Sequence, residues 1–313
     1  MTDAKSTRDA FGAVIPKLGE KFKQLVVLDA DLSVSTKSIC FAGKFPKRFF
    51  DVGCAEQNLI GTAAGLALSG KISVACSYAI FASGRAWEQI RNVVAHDNLD
   101  VKVVVSHAGL TNNSDGSSHQ SIEDMALMRV IPNMRVVVPA DYYEAEKAIE
   151  CAVKTKGPFY IRLSRSKTPV IFDSNYNFKI GEVVRLRDGK DVCIYTCGVM
   201  VSEALAAADI LSKEGISARV VNVHTIKPLD VKAVLKHARE TGAVVTAEEH
   251  SVFGGLGSAI SEAIAEEGIP LKMVGIKDRF GQSGSVEELM KEYGLTAGSI
   301  ADSARQLLKS RKR

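Results

Sequence analysis

The chain has 313 residues, of which 46% are hydrophobic and 24% charged, and its formal net charge is +4. These values are ordinary for a globular protein of about two domains, and no basic stripe or membrane-length apolar run indicates binding to nucleic acid or a membrane. The N-terminus lacks an apolar secretory segment and the six cysteines form no Cys-x-x-Cys, so we expect reduced core thiols in a cytoplasmic protein.

Short apolar runs alternate with longer amphipathic segments in the first half of the chain. Strands are predicted over residues 25–29, 72–77, 101–106, 134–139 and 159–163. The apolar stripe Ala145, Ile149 and Ala152 predicts a helix over 142–153. Alternation of this kind is typical of a mainly parallel, doubly wound sheet.

The alternation breaks after about Arg165 and restarts near Lys190, which indicates a linker containing Pro169 and the turn Asp188-Gly189. Strands are then predicted over residues 192–196, 218–223, 243–247 and 271–276, and helices over 202–213, 231–239 and 257–267. Ser202 resembles a helix N-cap and Gly215 a helix stop. We therefore expect an α/β protein with two doubly wound domains, at 1–170 and 191–313, joined by a linker at 171–190.

Glu56 begins a helical segment that is otherwise apolar and rich in small residues. A buried carboxylate without a partner is unfavourable, so this residue needs an explanation. On residue type alone, a helix cap or an ion pair with an arginine explains it better than a functional site.

Two histidines and an aspartate lie in the segment 106–120, directly after a strongly predicted strand. That position is the carboxyl end of a strand, where open α/β sheets bind ligands. His107 or His119 alone would be an ordinary loop residue, but together with the turn Asp115-Gly116 they indicate a site. For Tyr78 and Phe81, which follow another strand, core packing is the simplest explanation.

Taken in order, several segments resemble the pyrimidine-binding and C-terminal domains of the transketolase family. They are Asp29-Ala30-Asp31-Leu32, the Glu56 helix, Asp115-Gly116-x-x-His119-Gln120, Leu163-Ser164-Arg165, residues 222–230, Glu248-Glu249-His250, Gly254-Gly255-Leu256-Gly257 and Asp278-Arg279-Phe280-Gly281. The resemblance covers almost the whole chain and implies thiamine diphosphate as the cofactor.

The Gly-Asp-Gly…Asn-Asn signature that binds the diphosphate and its metal in this family is missing from the sequence. The resemblance therefore implies the C-terminal subunit of a split transketolase. Its partner would be an N-terminal subunit that carries the signature and holds Mg²⁺ or another divalent metal. An α2β2 heterotetramer is expected, with no metal ligand on this chain.

The resemblance also implies a role for individual residues. Glu56 would bind the pyrimidine ring nitrogen, Phe81 would stack on that ring, and Tyr78 would lie nearby. Asp115 would contact a substrate hydroxyl, and His119 would lie near the reacting oxygens. The residues expected to bind a sugar phosphate are Arg8, Ser35, His107 and Arg165, and those expected to be catalytic are Glu56, His107 and His119.

Gly84 stands where the family usually has a third aromatic residue, and Trp87 is the candidate to replace it. In the second domain, a glycine-rich turn at 254–257 is a weak candidate for anion binding. His224, His237 and His250 are expected to be structural, and the second domain is expected to serve assembly.

The implied reaction moves a two-carbon ketol unit from a ketose phosphate, such as xylulose 5-phosphate, to an aldose phosphate, such as ribose 5-phosphate. Two related enzymes are alternatives: the β subunit of a 2-oxo acid dehydrogenase and a 1-deoxyxylulose-5-phosphate synthase. An alternative of another class is a non-catalytic subunit that regulates a thiamine enzyme.

Overall fold

The computed structural model describes residues 3–311. The strands are β1 Ala4–Ser6, β2 Leu25–Asp29, β3 Phe49–Asp51, β4 Ile72–Tyr78, β5 Val101–Ser106, β6 Arg135–Val137, β7 Phe159–Arg162, β8 Lys167–Pro169, β9 Val184–Arg187, β10 Val192–Thr196, β11 Ala218–Asn222, β12 Thr225–Lys227, β13 Val244–Ser251 and β14 Leu271–Ile276. The helices are α1 Thr7–Lys21, α2 Ser33–Thr36, α3 Ile39–Lys44, α4 Glu56–Leu68, α5 Trp87–Gln89, α6 Asp124–Arg129, α7 Tyr142–Lys154, α8 Met200–Ser212, α9 Val231–Thr241, α10 Leu256–Ile264, α11 Val286–Glu292 and α12 Ala297–Arg311. No helix within these residues has the length and apolar character needed to cross a membrane.

The first sheet has seven strands in the order β12-β6-β7-β5-β4-β2-β3. Neighbours are parallel except β12, which runs antiparallel to β6. Apolar residues of α1 and α7 pack on one face, and those of α4 and the helical segment 81–95 pack on the other. This arrangement confirms the predicted doubly wound α/β fold.

The second sheet has the order β14-β13-β10-β11-β9, and it is parallel except for the edge strand β9. Strand β13 continues to Ser251, beyond the predicted end at residue 247. Helix α8 begins at Met200, so the prediction that Ser202 caps it was wrong; the Ser202 hydroxyl instead donates to the Val199 carbonyl at 3.1 Å. Gly215 follows the helix with φ of +76°, as expected for a helix stop.

The six cysteines are all free thiols, but they do not all lie in the core. Cys76, Cys193 and Cys197 are buried, whereas Cys40 and Cys54 are exposed. The expectation of six core residues was therefore wrong for these two: Cys40 lies in the first turn of α3 and Cys54 in the turn before α4, whereas Cys151 is half-buried.

A buried polar network joins the two domains at Arg162, the last residue of β7. Its Nε donates to Asp124 Oδ2 at 2.8 Å, and its Nη2 donates to the carbonyls of Ser121 at 3.3 Å and Glu249 at 3.0 Å. The Glu249 carboxylate lies 3.8 Å from Arg162 Nη1. The same guanidinium thus neutralises acids from both domains.

A second network lies at Glu144, a buried residue of α7. Its carboxylate accepts hydrogen bonds from Asn222 Nδ2 at 2.8 and 3.0 Å and from the Tyr176 hydroxyl at 3.1 Å. Burial raises the pKa of Glu144 to about 7, although these donors and the Ala140 amide oppose that rise. Helix α7, the linker and β11 are therefore tied together.

Replacing Arg162 should destabilise the protein strongly. In Arg162→Leu, Asp124 and Glu249 remain buried without their cation, which typically costs about 3–5 kcal/mol of unfolding free energy. Urea denaturation followed by circular dichroism measures the loss. Arg239→Ala is the control, because Arg239 forms an ion pair with Glu267 at the surface and its removal should leave the midpoint close to wild type. Equal midpoints for the two variants would contradict this role for Arg162.

Candidate functional site

The predicted site residues of the first domain gather at the carboxyl ends of its parallel strands. Tyr78 is the last residue of β4 and pairs in register with Ser106, the last residue of β5. His107 follows immediately, and its ring stacks on Tyr78 with centroids 3.9 Å apart. Strand register therefore brings together two residues that lie far apart in the chain.

The backbone of His107 is in the left-handed region, with φ of 59°. A non-glycine residue rarely adopts this conformation unless its surroundings hold it there, and such residues are common at functional sites. Here the neighbouring Ser106 hydroxyl lies 2.8 Å from His107 Nδ1. The tight turn directs the imidazole back over the end of β4.

His119 completes an aromatic row with the same strand ends. Tyr78 and Phe81 are stacked with centroids 5.9 Å apart, and the His119 ring meets the Phe81 ring edge-on at 5.1 Å. A short 3₁₀ turn, Ser117–His119, places the imidazole, and Asn112 Nδ2 donates to the His119 carbonyl at 3.0 Å. His107, Tyr78, Phe81 and His119 thus form one contiguous surface.

Glu56 lies beside this row and is 3% exposed. Its Oε2 accepts a hydrogen bond from Arg85 Nη1 at 2.9 Å, and the Arg85 guanidinium lies 4.9 Å from the centre of the Phe81 ring. The π-helical turn Phe81–Arg85 positions this cation. Ion pairing with an arginine, one of the explanations from residue type, is therefore present, whereas Glu56 is not a side-chain cap of its helix.

Arg85 was not among the predicted site residues, although its spacing from Phe81 is a sequence signal for it. Residues four apart on a helix are neighbours, so an arginine at this spacing from Phe81 could have been paired with the aromatic site. Trp87, the candidate for a third aromatic, lies elsewhere. Its Nε1 donates to the Leu127 carbonyl at 2.9 Å and its ring packs on the core.

Glu56 and Phe81 suit a planar ring that carries a hydrogen-bond donor. Among the described residues no donor reaches Glu56 Oε1, so this oxygen can accept from such a ring while Oε2 stays paired with Arg85. Phe81 is half-buried and can stack on it. A thiamine pyrimidine fits this chemistry.

Across residues 3–311, no cluster of three or more His, Cys, Asp or Glu side chains could hold a metal ion.

Arg8 and Ser35 meet on the other side of His107. Arg8 Nη1 donates to the Ser35 carbonyl at 3.1 Å, and the Arg8 amide donates to the Ser164 carbonyl at 3.2 Å. Arg8 Nε makes no hydrogen bond among the described residues, and the Asp9 carboxylate lies 3.9 Å from it. A half-buried guanidinium with a donor that makes no hydrogen bond suits an anion such as a phosphate.

Buried Asp29 shapes the turn that carries Ser35. Its carboxylate accepts hydrogen bonds from the Leu32 amide at 2.6 Å and from the hydroxyls of Thr36 and Ser38 at 2.7 Å each. These bonds fold the chain tightly after β2. The resemblance segment beginning at Asp29 thus has a local structural role.

His107 is surrounded by positive charge. Its pKa is lowered from 6.5 to about 3, mainly by burial and also by the charges of Arg8, Arg165 and His119. The ring is therefore neutral near pH 7 and acts as a hydrogen-bonding group. The positive charge at this end of the site comes from the two arginines.

Asp115 and Arg165 lie at the exposed rim. Arg165 Nη1 donates to the Ser114 hydroxyl, which itself donates to Asp115 Oδ1 at 3.4 Å. Among the described residues, Asp115 makes no hydrogen bond or ion pair with the aromatic row. The structure therefore brings together Arg8, Ser35, His107 and Arg165 on one side and Glu56, Tyr78, Phe81 and His119 on the other, with Asp115 outside both.

The glycine-rich turn of the second domain already holds a carboxyl side chain. Glu248 accepts hydrogen bonds from the amides of Leu256 and Gly257, both at 2.7 Å, at the start of α10. Burial raises the pKa of this carboxyl to about 7 in spite of those donors. His224 and His250 are buried, and each has a polar partner within 2.8 Å, as expected for structural histidines.

Two family models match the chain, one in each half. The transketolase pyrimidine-binding domain matches residues 3–170, and the transketolase C-terminal domain matches residues 181–300. The chain belongs to the transketolase family. The resemblance inferred from the Glu56, His107 and His119 segments is thereby confirmed.

Individual relatives align with this transketolase chain over nearly its whole length. A protein of Methanocaldococcus jannaschii, named for a transketolase C-terminal section, is 50% identical over 95% of this chain and 94% of its own. A 6-deoxy-6-sulfo-D-fructose transketolase subunit from a Clostridium species is 44% identical over 96% of this chain and 94% of its own. A solved split-gene transketolase, described as an inactive β4 tetramer, is 49% identical with a TM-score of 0.91 and covers 97% of this chain and 98% of its own.

The lowered pKa of His107 predicts a pH-dependent contribution to stability. In the unfolded chain an imidazole takes up a proton near pH 6.5, whereas the folded chain leaves His107 neutral until about pH 3. The free energy of unfolding should therefore fall as the pH falls from 7 to 4. In His107→Asn this fall should be smaller, as measured by urea denaturation at each pH. His96→Asn, with an exposed ring, is the control, and equal slopes in all three proteins would contradict the prediction.

Proposed function

We propose that this chain is the C-terminal subunit of a split, thiamine-diphosphate-dependent transketolase. The observation that carries the proposal is the buried Glu56 carboxylate beside the half-buried Phe81 ring, at the carboxyl ends of the parallel strands. The Gly-Asp-Gly…Asn-Asn motif is absent from the sequence, so a partner chain supplies the residues that bind the diphosphate and Mg²⁺ or another divalent metal. The relative solved as an inactive β4 tetramer supports this requirement for a second chain.

Glu56 and Phe81 form the cofactor half of the proposed site. Glu56 would accept a hydrogen bond from the pyrimidine ring nitrogen, which would favour the tautomer needed for reaction. Phe81 would stack on the ring, and Tyr78 is stacked with Phe81 at a centroid distance of 5.9 Å. When bound, thiamine diphosphate supplies the carbanion chemistry for transfer of the two-carbon unit, and the protein orients the reacting groups.

Arg8 and Arg165 form the phosphate end of the substrate site, together with Ser35 and neutral His107. The forked donors of arginine suit a phosphate, and Arg8 Nε makes no hydrogen bond to the described residues. His119, at the opposite end of the aromatic row, lies near the reacting oxygens, and Asp115 contacts a substrate hydroxyl when the ligand reaches the rim.

The proposed donor is xylulose 5-phosphate and the proposed acceptor is ribose 5-phosphate. The same proposal divides the chain into a pyrimidine-binding domain at 1–170, a linker at 171–190 and a C-terminal domain at 191–313. It places the protein in the cytoplasm as an α2β2 heterotetramer. A neighbouring gene that encodes the Gly-Asp-Gly…Asn-Asn motif would identify the partner chain.

Reconstitution tests the proposal directly. The purified chain should be inactive alone and active after mixing with the partner chain, thiamine diphosphate and Mg²⁺, as measured by sedoheptulose 7-phosphate formation from xylulose 5-phosphate and ribose 5-phosphate. Glu56→Gln should lower kcat by at least about 100-fold, because an amide cannot exchange the proton. Glu88→Gln, which alters an exposed acid, should retain activity. Near-normal turnover by a folded, assembled Glu56→Gln variant would refute the role of Glu56.

Arg165→Ala should raise KM for the phosphorylated ketose by about 10- to 100-fold, because one charge-assisted contact is lost. The value of kcat/KM for unphosphorylated xylulose should change little, since that substrate carries no phosphate. Arg185→Ala, at an exposed arginine of the second domain, is the control. An equal loss with both ketoses would mean that Arg165 acts through folding rather than through the phosphate.

A further inference from the structure

The second domain contacts the segment that carries Asp115 and His119 at three separate points. We call residues 111–120 the substrate loop. The Thr111 amide donates to Glu249 Oε1 at 2.5 Å, at the start of the loop. Asn113 Nδ2 donates to the Gly284 carbonyl at 3.2 Å, and Gln120 Nε2 donates to the Gln282 carbonyl at 3.1 Å at its end.

Two glycines show how closely the domains approach one another here. Gly109 has φ of +75°, and any side chain added to it would overlap the Glu249 carboxylate. A side chain at Gly281 would overlap the amide of Gln120. The loop is therefore fitted against the second domain at both ends, by packing as well as by hydrogen bonds.

Glu249 is itself fixed in position. It is 2% exposed on β13, inside the second sheet, and Arg162 donates to its carbonyl and lies beside its carboxylate. By contrast, the middle of the substrate loop, from Ser114 to Ser118, is mainly exposed and polar. A segment of this kind has little apolar burial of its own to restrict its motion.

We propose that the second domain positions the reacting end of the site, with Glu249, Asn113 and Gln120 as positioning residues that hold the substrate loop. The catalytic consequence rests on the proposed transketolase function, whereas the hold itself does not. A displacement of about 1 Å at a reacting group can lower turnover by about 100-fold, so a loosened loop affects kcat. Arg8 and Ser35 are anchored within the first domain and are not held in this way, whereas Arg165 contacts the loop through Ser114.

Hydrogen exchange tests the hold without any substrate. In the double variant Asn113→Ala/Gln120→Ala, the amides of residues 112–119 should exchange at least about 10-fold faster than in wild type. Asn175→Ala, at an exposed asparagine of the linker, is the matched control and should leave loop exchange unchanged. Glu249→Met keeps a side chain of similar length but removes the acceptor, and it gives a second variant, in which the Thr111 amide should lose protection. Wild-type exchange across the loop in both folded variants would overturn the proposal.

Kinetics of the reconstituted two-chain enzyme test the catalytic consequence. The double variant should lower kcat by about 10- to 100-fold, with changes under about threefold in KM for the sugar phosphate and in Kd for thiamine diphosphate. A general folding defect would instead reduce cofactor binding and melting temperature as well. Unchanged kcat in a variant with accelerated loop exchange would overturn the link to turnover. If the wild-type pair transfers no two-carbon unit, the proposed reaction fails, and the exchange result still decides whether the second domain holds the loop.

Discussion

The buried guanidinium of Arg162 determines how the two domains meet. A buried cation is tolerated only when acids and carbonyls surround it, and here these groups come from Asp124 and Ser121 of the first domain and from Glu249 of the second. Arg162 ends β7, two residues before Ser164, while Ser121 lies next to the end of the substrate loop. One electrostatic requirement therefore fixes the domain interface and both chain segments that border the site.

Charge is distributed along the site in a definite order. Arg8 and Arg165 form a cationic end. Neutral His107 lies between these arginines and the aromatic row. At the other end, Glu56 is an anion whose charge is balanced by Arg85. A substrate and cofactor that together present an anionic group at one end and a hydrogen-bond donor at the other match this polarity. The aromatic rings between the two ends offer flat apolar surface and add no net charge.

The sequence predicted nine of the parallel strands, because buried parallel strands are continuous apolar runs bounded by polar turns. The short strands β1, β3, β8, β9 and β12 were not predicted. The sequence also predicted that His107 would lie at a carboxyl strand end. It missed the last residues of β13, because Glu248, Glu249 and His250 are polar and their burial depends on tertiary partners. It misplaced the start of α8 because the contacts that bury Met200 and Val201 are long-range. The ion pair of Arg85 with Glu56 and the pairing of β12 with β6 were missed for the same reason, since neither produces a local periodic pattern in the sequence.

Strand β12 has a consequence for gene architecture. Thr225–Lys227 belongs to the second half of the chain but completes the edge of the first sheet beside β6. A polypeptide that stopped near residue 170 would expose that edge, and exposed edges promote aggregation. A cut between the two domains described here would remove a strand from one of them, so these domains are expected to be inherited as one unit.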